Sequence, residues 1–134
     1  GQTLFTEKGG CARCHIVDGA GGRLGPDLSF VGDRRNPDKL QTDLVDPDAE
    51  VSPRWWTMKV TGSDGQQFEG LRMNEDTFSF RIMDADEALR SFSKYGPWSY
   101  ERVQTSTMPT YSQSLTTAER NDLVAYLFSL RRNR

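Results

Sequence analysis

A mainly α domain interrupted by a small antiparallel β-meander is the architecture this sequence predicts. Two capped helical patterns, one starting near residue 36 and one filling the C-terminal end, argue for helix. A period-two alternation between about residues 55 and 94 argues for strands set into that helical frame. The length of 134 residues predicts a single domain, 1–134.

Taken in order, residues 1 to 9 place Leu4 and Phe5 among helix-tolerant polar residues, and Gly9-Gly10 stops them, which predicts a short N-terminal helix. The stretch from Gly19 to Gly25, rich in glycine and followed by Pro26, reads as loop. Asn36-Pro37 has the form of an N-cap with proline at the first helical position. Leu40 and Leu44 then stack four apart, and Pro47 ends the helix.

In the meander, Trp56, Met58 and Val60 alternate with polar residues, Ser63-Asp64-Gly65 turns the chain, and Phe78, Phe80 and Ile82 alternate again. Gln67 to Met73 lies between these runs and Leu89 to Phe92 follows them. The last helix is the best defined. Thr116 and Glu119 form a capping-box pattern, Leu123, Leu127 and Leu130 line one face with Val124, and Arg131 and Arg132 sit at the negative end of the dipole.

Hydrophobic residues make up 35% of the chain and the formal charge is -2, with only four lysines. Such a balance offers nothing for nucleic acid, and the acidic run Asp43, Asp46, Asp48 and Glu50 reads as a solvated helix end. The longest apolar run, Leu123 to Phe128, is far too short to span a bilayer.

The chemistry concentrates in Cys11-Ala12-Arg13-Cys14-His15. Two cysteines three apart, followed directly by histidine, have the spacing for covalent c-type haem attachment. Each thiol can add to a vinyl group, and the histidine is then placed to ligate the iron. These are the chain's two cysteines and its one histidine, so no disulfide remains and a bis-histidine haem cannot be built from this chain alone. A structural zinc site wants a fourth ligand that the sequence does not place, and a thioredoxin-like dithiol wants a βαβ setting that the flanking residues do not provide. The expected cofactor is one covalent haem c. A chain that opens on Gly1 without methionine is expected to have lost an export signal or a larger upstream region. Periplasm, or the outer face of the cytoplasmic membrane, is the expected location.

Together, Gly1 with Leu4 and Phe5, the Cys11–His15 motif, Gly25-Pro26-Asp27-Leu28, Met108-Pro109, and Leu115-Thr116 leading into Asp122 to Leu127 resemble a class I c-type cytochrome. The resemblance implies the class I cytochrome c fold, with the N- and C-terminal helices crossing where Gly1 meets the Tyr126 region. It also implies that the Pro26 carbonyl accepts the other ring N–H of His15, which orients the imidazole and raises its donor strength. The strands between Pro26 and Met108 depart from small members of that class. They look like haem-binding domains that bacteria append to dehydrogenases, which leaves open whether the chain is a free carrier or a domain of something larger.

Met58, Met73, Met83 and Met108 compete for the second axial position. The first three lie in or beside predicted strands, where methionine fills core gaps, whereas Met108 lies in a polar loop before the last helix. His15 and Met108 are therefore the expected metal ligands. Trp55, Trp56, Tyr95, Trp98 and Tyr111 can donate to a haem propionate, with Trp56 the first choice, although core or strand packing is the more expected role for each of them. Arg23, Arg34 and Arg35 read as solvated loop charge.

The expected function is a monohaem electron carrier, not an enzyme, working between redox protein partners that the sequence does not identify. Two other readings stay open: a haem peroxidase or gas-binding domain with a labile or open sixth site, and the electron-accepting module of a multidomain dehydrogenase or membrane complex.

Overall fold

The computed structural model describes residues 1–133, which fall into two compact units, one made of residues 1–49 with those from Met108 onward, the other Glu50–Thr107. The first unit carries the helices. α1 (Gln2–Thr6) is short and closes on the backbone bond from Gly9 N–H to the Leu4 carbonyl, 2.7 Å. α2 (Pro37–Val45) starts where its cap chemistry says it should, with the Asn36 side chain accepting from the Lys39 N–H at 2.8 Å. α3 (Thr117–Ser129) opens on a complete capping box, Thr116 Oγ1 accepting from Glu119 N–H and Glu119 Oε1 accepting from Thr116 N–H. Beyond its end, Arg131 donates to the Phe128 carbonyl at 3.1 Å, satisfying one of the acceptors a helix terminus leaves open.

Leu123, Val124, Leu127 and Leu130 of the α3 segment are buried together with Leu40 and Leu44 of α2 and Phe5 of α1. α1 meets α3 at Gly1. A methyl group there would stand 2.5 Å from Tyr126 Cβ, so the close approach requires glycine. Beside it the Phe5 and Tyr126 rings lie with centroids 5.7 Å apart, and Lys8 pairs with Glu119 at 2.8 Å.

In a short hairpin, β1 (Ile16–Val17) pairs with β2 (Ala20–Gly21), and β2 falls in the Gly19–Gly25 stretch expected to be loop. Asp18 and Gly19 both take positive φ, 51° and 85°, which is the requirement of a type I′ turn.

The second unit is a five-stranded antiparallel sheet built from β3 (Thr57–Gly62), β4 (Gln67–Glu75), β5 (Ser79–Met83), β6 (Leu89–Ser93) and β7 (Trp98–Val103), in spatial order β6-β5-β4-β3-β7. Its apolar face is the alternating set Met58, Val60, Phe80, Ile82 and Phe92, with Phe68, Trp98 and Tyr100 packed around them. Phe78 does not join this face. It is 63% exposed in the turn before β5, beside Tyr95, because the strand starts one residue later.

The expectation of a mainly α protein is overturned. About 27% of the chain is helical, counting the 3-10 turns Cys11–Arg13, Val31–Asp33 and Pro53–Trp55 with the three α-helices, and 26% is strand, counting the β1–β2 hairpin with the five-stranded sheet. The helices are short, 5, 9 and 13 residues. Meanwhile β7 adds a fifth strand beyond the expected meander, pairing with β3 from Thr57↔Val103 to Gly62↔Trp98. β3 thereby gains partners on both edges and becomes an interior strand.

Candidate haem site

The haem-attachment motif begins on a tight turn. Cys11–Arg13 form one turn of 3-10 helix, and both Cys14 N–H and His15 N–H donate to the Cys11 carbonyl, at 3.1 and 2.9 Å. This curl brings Cys11 and Cys14 onto a single backbone turn. A zinc reading would need a group of Cys, His, Asp or Glu ligands, and no group of three or more able to hold a metal ion occurs among the described residues. A dithiol active site would need a strand running into a helix; here the motif follows α1 and runs into the β1–β2 hairpin.

The following loop folds back over the motif. Gly22 N–H donates to the Ala12 carbonyl at 2.9 Å, Gly25 N–H to the Cys14 carbonyl at 2.7 Å, and Leu28 N–H to the Ile16 carbonyl at 2.8 Å. The result delivers Gly25-Pro26 to the His15 ring. His15 Nδ1 and the Pro26 carbonyl oxygen are 2.7 Å apart. A carbonyl can only accept, so Nδ1 carries the hydrogen, and the neutral ring presents the lone pair of Nε2. Burial pushes the imidazole's pKa down while the Pro26 bond opposes that shift. At neutral pH the ring is therefore a ready ligand. Gly25 lies flat against it: a methyl group there would fall 2.6 Å from Cε1 and 2.8 Å from Nδ1. Glycine at 25 is the space the ring occupies.

Cys11 is 8% exposed and belongs to the core of the first unit. Burial raises its thiol pKa, partly offset by contact with the Tyr111 hydroxyl. Cys14 is half-buried. Met108, also half-buried, packs against the same core. Cys11, Cys14, His15, Pro26 and Met108 thus all lie in the first unit, although Met108 is far from the rest in sequence. The other methionines belong to the second unit, Met58 fully buried under the sheet and Met83 at 5% exposure, with Met73 half-buried in β4.

Trp56 also lies in the second unit, with the Arg72 guanidinium 5.6 Å from its ring centre. Trp98 packs edge-on against Phe92 and Phe68, Trp55 lies beneath Arg54, and Tyr95 is 75% exposed. Tyr111 points inward and donates to the Gly9 carbonyl at 2.6 Å. Arg34 donates to the Asp27 carbonyl at 3.0 Å, Arg35 pairs with Asp43 at 3.4 Å, and Arg23 is exposed. Sequence reasoning misses two contributors to this site, Gly25 as the seat of the imidazole and Tyr111 as a strut beside Cys11. Gly25 is legible only as part of a turn, and the partner of Tyr111 is 102 residues away.

These residues fit a covalently held haem: two thiols on one turn, an imidazole with its Nδ1 proton already engaged, and a glycine-cleared ring position. Comparison with curated proteins finds no match. Residues 1–87 match the family model for cytochrome c, a stretch that takes in Cys11, Cys14, His15 and Pro26 and stops short of Met108 and α3. On that match, supported by the geometry of the motif, the chain belongs to the cytochrome c family, whose members bind covalently attached haem c and transfer electrons.

Proposed function

We propose that this chain is a monohaem electron carrier with the class I ligand set. Cys11 and Cys14 anchor one haem by thioether bonds, His15 Nε2 is the first axial ligand and Met108 sulfur the second. The observation that carries this reading is the 2.7 Å contact of His15 Nδ1 with the Pro26 carbonyl, which leaves Nε2 as the only ring nitrogen free to bind a metal. When bound, the haem supplies an iron that cycles between ferric and ferrous states.

The chain's own groups do the rest. Pro26 holds the imidazole plane, and Gly25 gives it room. The Cys11 side supplies a dry apolar wall, because Leu4, Ala12, Val17, Leu28 and Met108 pack around that core. A thioether is a weaker donor than imidazole, so a His/Met pair favours the ferrous state and raises the potential, and two occupied faces disfavour O₂ chemistry. Redox proteins are the partners of such a carrier, and the periplasm or outer face of the cytoplasmic membrane is its place, because that is where thioether attachment is made in bacteria.

The test is the oxidised spectrum of the haem-loaded protein. A low-spin spectrum with the weak sulfur-to-iron charge-transfer band is expected, with loss of that band and a lower reduction potential in Met108→Ala. An unchanged spectrum and potential in Met108→Ala would remove Met108 from the iron.

A further inference from the structure

One side chain ties the Met108 loop to the haem-attachment segment. Tyr111, three residues past Met108 and 8% exposed, is held at three points. Its N–H donates to the Leu44 carbonyl at the end of α2, 2.8 Å, and its carbonyl accepts from Arg120 Nη1 of α3, 3.2 Å. Its hydroxyl donates to the Gly9 carbonyl, 2.6 Å. Gly9 stands two residues before Cys11, whose thiol touches the same hydroxyl.

The surrounding loop is tied as closely. Arg120 Nη1 also donates to the carbonyls of Ser112 and Leu115, at 3.0 and 2.6 Å, and Thr110 Oγ1 donates to the Val45 carbonyl at 2.6 Å. Between the fixed Tyr111 and Met108 stand only this bonded Thr110 and Pro109, whose ring locks φ. The position of Met108 is therefore set from Tyr111, and that of Tyr111 from the segment that carries Cys11. Phenylalanine would fill the same core volume, so packing alone does not account for the hydroxyl. Burial pushes its pKa up, which keeps the phenol protonated and donating.

We propose that Tyr111 is a positioning residue for the axial sulfur: its hydroxyl bond to Gly9 registers the ligand loop on the haem-attachment turn, so that Met108 is held at the iron. The proposal rests on the assignment of Met108 as ligand. No electron moves in the step it governs. When an exogenous base enters, the iron–sulfur bond breaks and an iron–nitrogen bond forms, and the strut opposes the retreat of the sulfur.

The experiment is the binding of imidazole to the oxidised, haem-loaded chain, followed by stopped-flow absorbance. Tyr111→Phe should bind imidazole roughly ten-fold faster, the factor expected for one lost buried hydrogen bond, while keeping the charge-transfer band before imidazole is added. Arg120→Gln, which removes the carbonyl clamp, should move the rate in the same direction. Gln41→Leu breaks the 2.7 Å bond between α2 and α3 to Asn121 and should leave the rate unchanged, which separates positioning from general loosening. In a Met108→Ala background, Tyr111→Phe should have no further effect. Equal rates in wild type and Tyr111→Phe, with the band lost in Met108→Ala, would overturn the positioning role and leave the ligand assignment standing. A faster rate in Tyr111→Phe that persists in the Met108→Ala background would also overturn it. A band that survives in Met108→Ala would instead overturn the ligand assignment beneath it.

Discussion

Adding one methyl group at Gly25 should unseat His15. A Cβ there would stand 2.6 Å from the ring's Cε1, 2.8 Å from Nδ1 and 3.1 Å from Nε2, where ordinary contact begins near 3.4 Å. The ring must withdraw by about 0.8 Å, which takes the 2.7 Å bond to Pro26 out to the limit of hydrogen bonding. Overpacking of this kind costs about 1–3 kcal/mol, and the lost bond about 1 kcal/mol more. For a unit of this size each kcal/mol is worth roughly 4–8 °C in Tm, so Gly25→Ala should melt about 8–30 °C below the parent. The assay is thermal unfolding of the haem-loaded protein, followed by haem absorbance, with the oxidised spectrum recorded below the transition. A Tm within about 2 °C of the parent and an unaltered spectrum would refute the claim that the imidazole rests on Gly25.

Two further outcomes concern stability away from the motif. Glu75 in the sheet unit pairs with Lys94 at 2.7 Å, with Arg72 at 3.3 Å and with Arg102, and although burial pushes its carboxyl up, these cations hold it down from 4.5 to about 2. A depressed carboxylate stabilises the fold above its unfolded pKa and loses that contribution as the pH falls toward the folded one. The sheet should therefore weaken between about pH 5 and pH 2 by about 1–2 kcal/mol after allowance for the partly exposed cations. Glu75→Gln should flatten that slope in urea titrations read by far-UV circular dichroism, and an unchanged slope would remove Glu75 as its source. Thr116→Ala breaks the capping box of α3 and should cost about 1 kcal/mol in the same urea assay, and a loss below about 0.3 kcal/mol would show that the cap is not holding the helix.

The features legible in the sequence are those that rest on near neighbours along the chain. The caps at Asn36 and Thr116 bond to groups three residues on, and the Cys11–His15 spacing is itself local, so both are plain from the residues alone. The alternation of Met58 with Val60 and of Phe80 with Ile82 identifies the buried face of the sheet. The same alternation wrongly turns Phe78 inward, because it has a phase but no start: Asp76 accepts from the N–H groups of Phe78 and Ser79 and turns the chain there, so the strand begins at Ser79. β7 escapes notice although Trp98 and Tyr100 alternate, since its only partner is β3, some 40 residues earlier, and long-range pairing leaves no local mark. That omission, together with helices of only 5, 9 and 13 residues, separates the mainly α expectation from the observed balance. In the site, Tyr111 reads as a core aromatic whose hydroxyl could alternatively reach a propionate; it does pack in the core, but its acceptor, the Gly9 carbonyl, is 102 residues away in sequence and leaves no local mark.

The most direct test of the central claim is the intact mass of the chain under denaturing conditions after expression with haem-maturation machinery. The account predicts the 15.2 kDa polypeptide plus a single haem, and the bare polypeptide when Cys11 and Cys14 are both replaced by alanine. A bare polypeptide mass for the unaltered chain would contradict it.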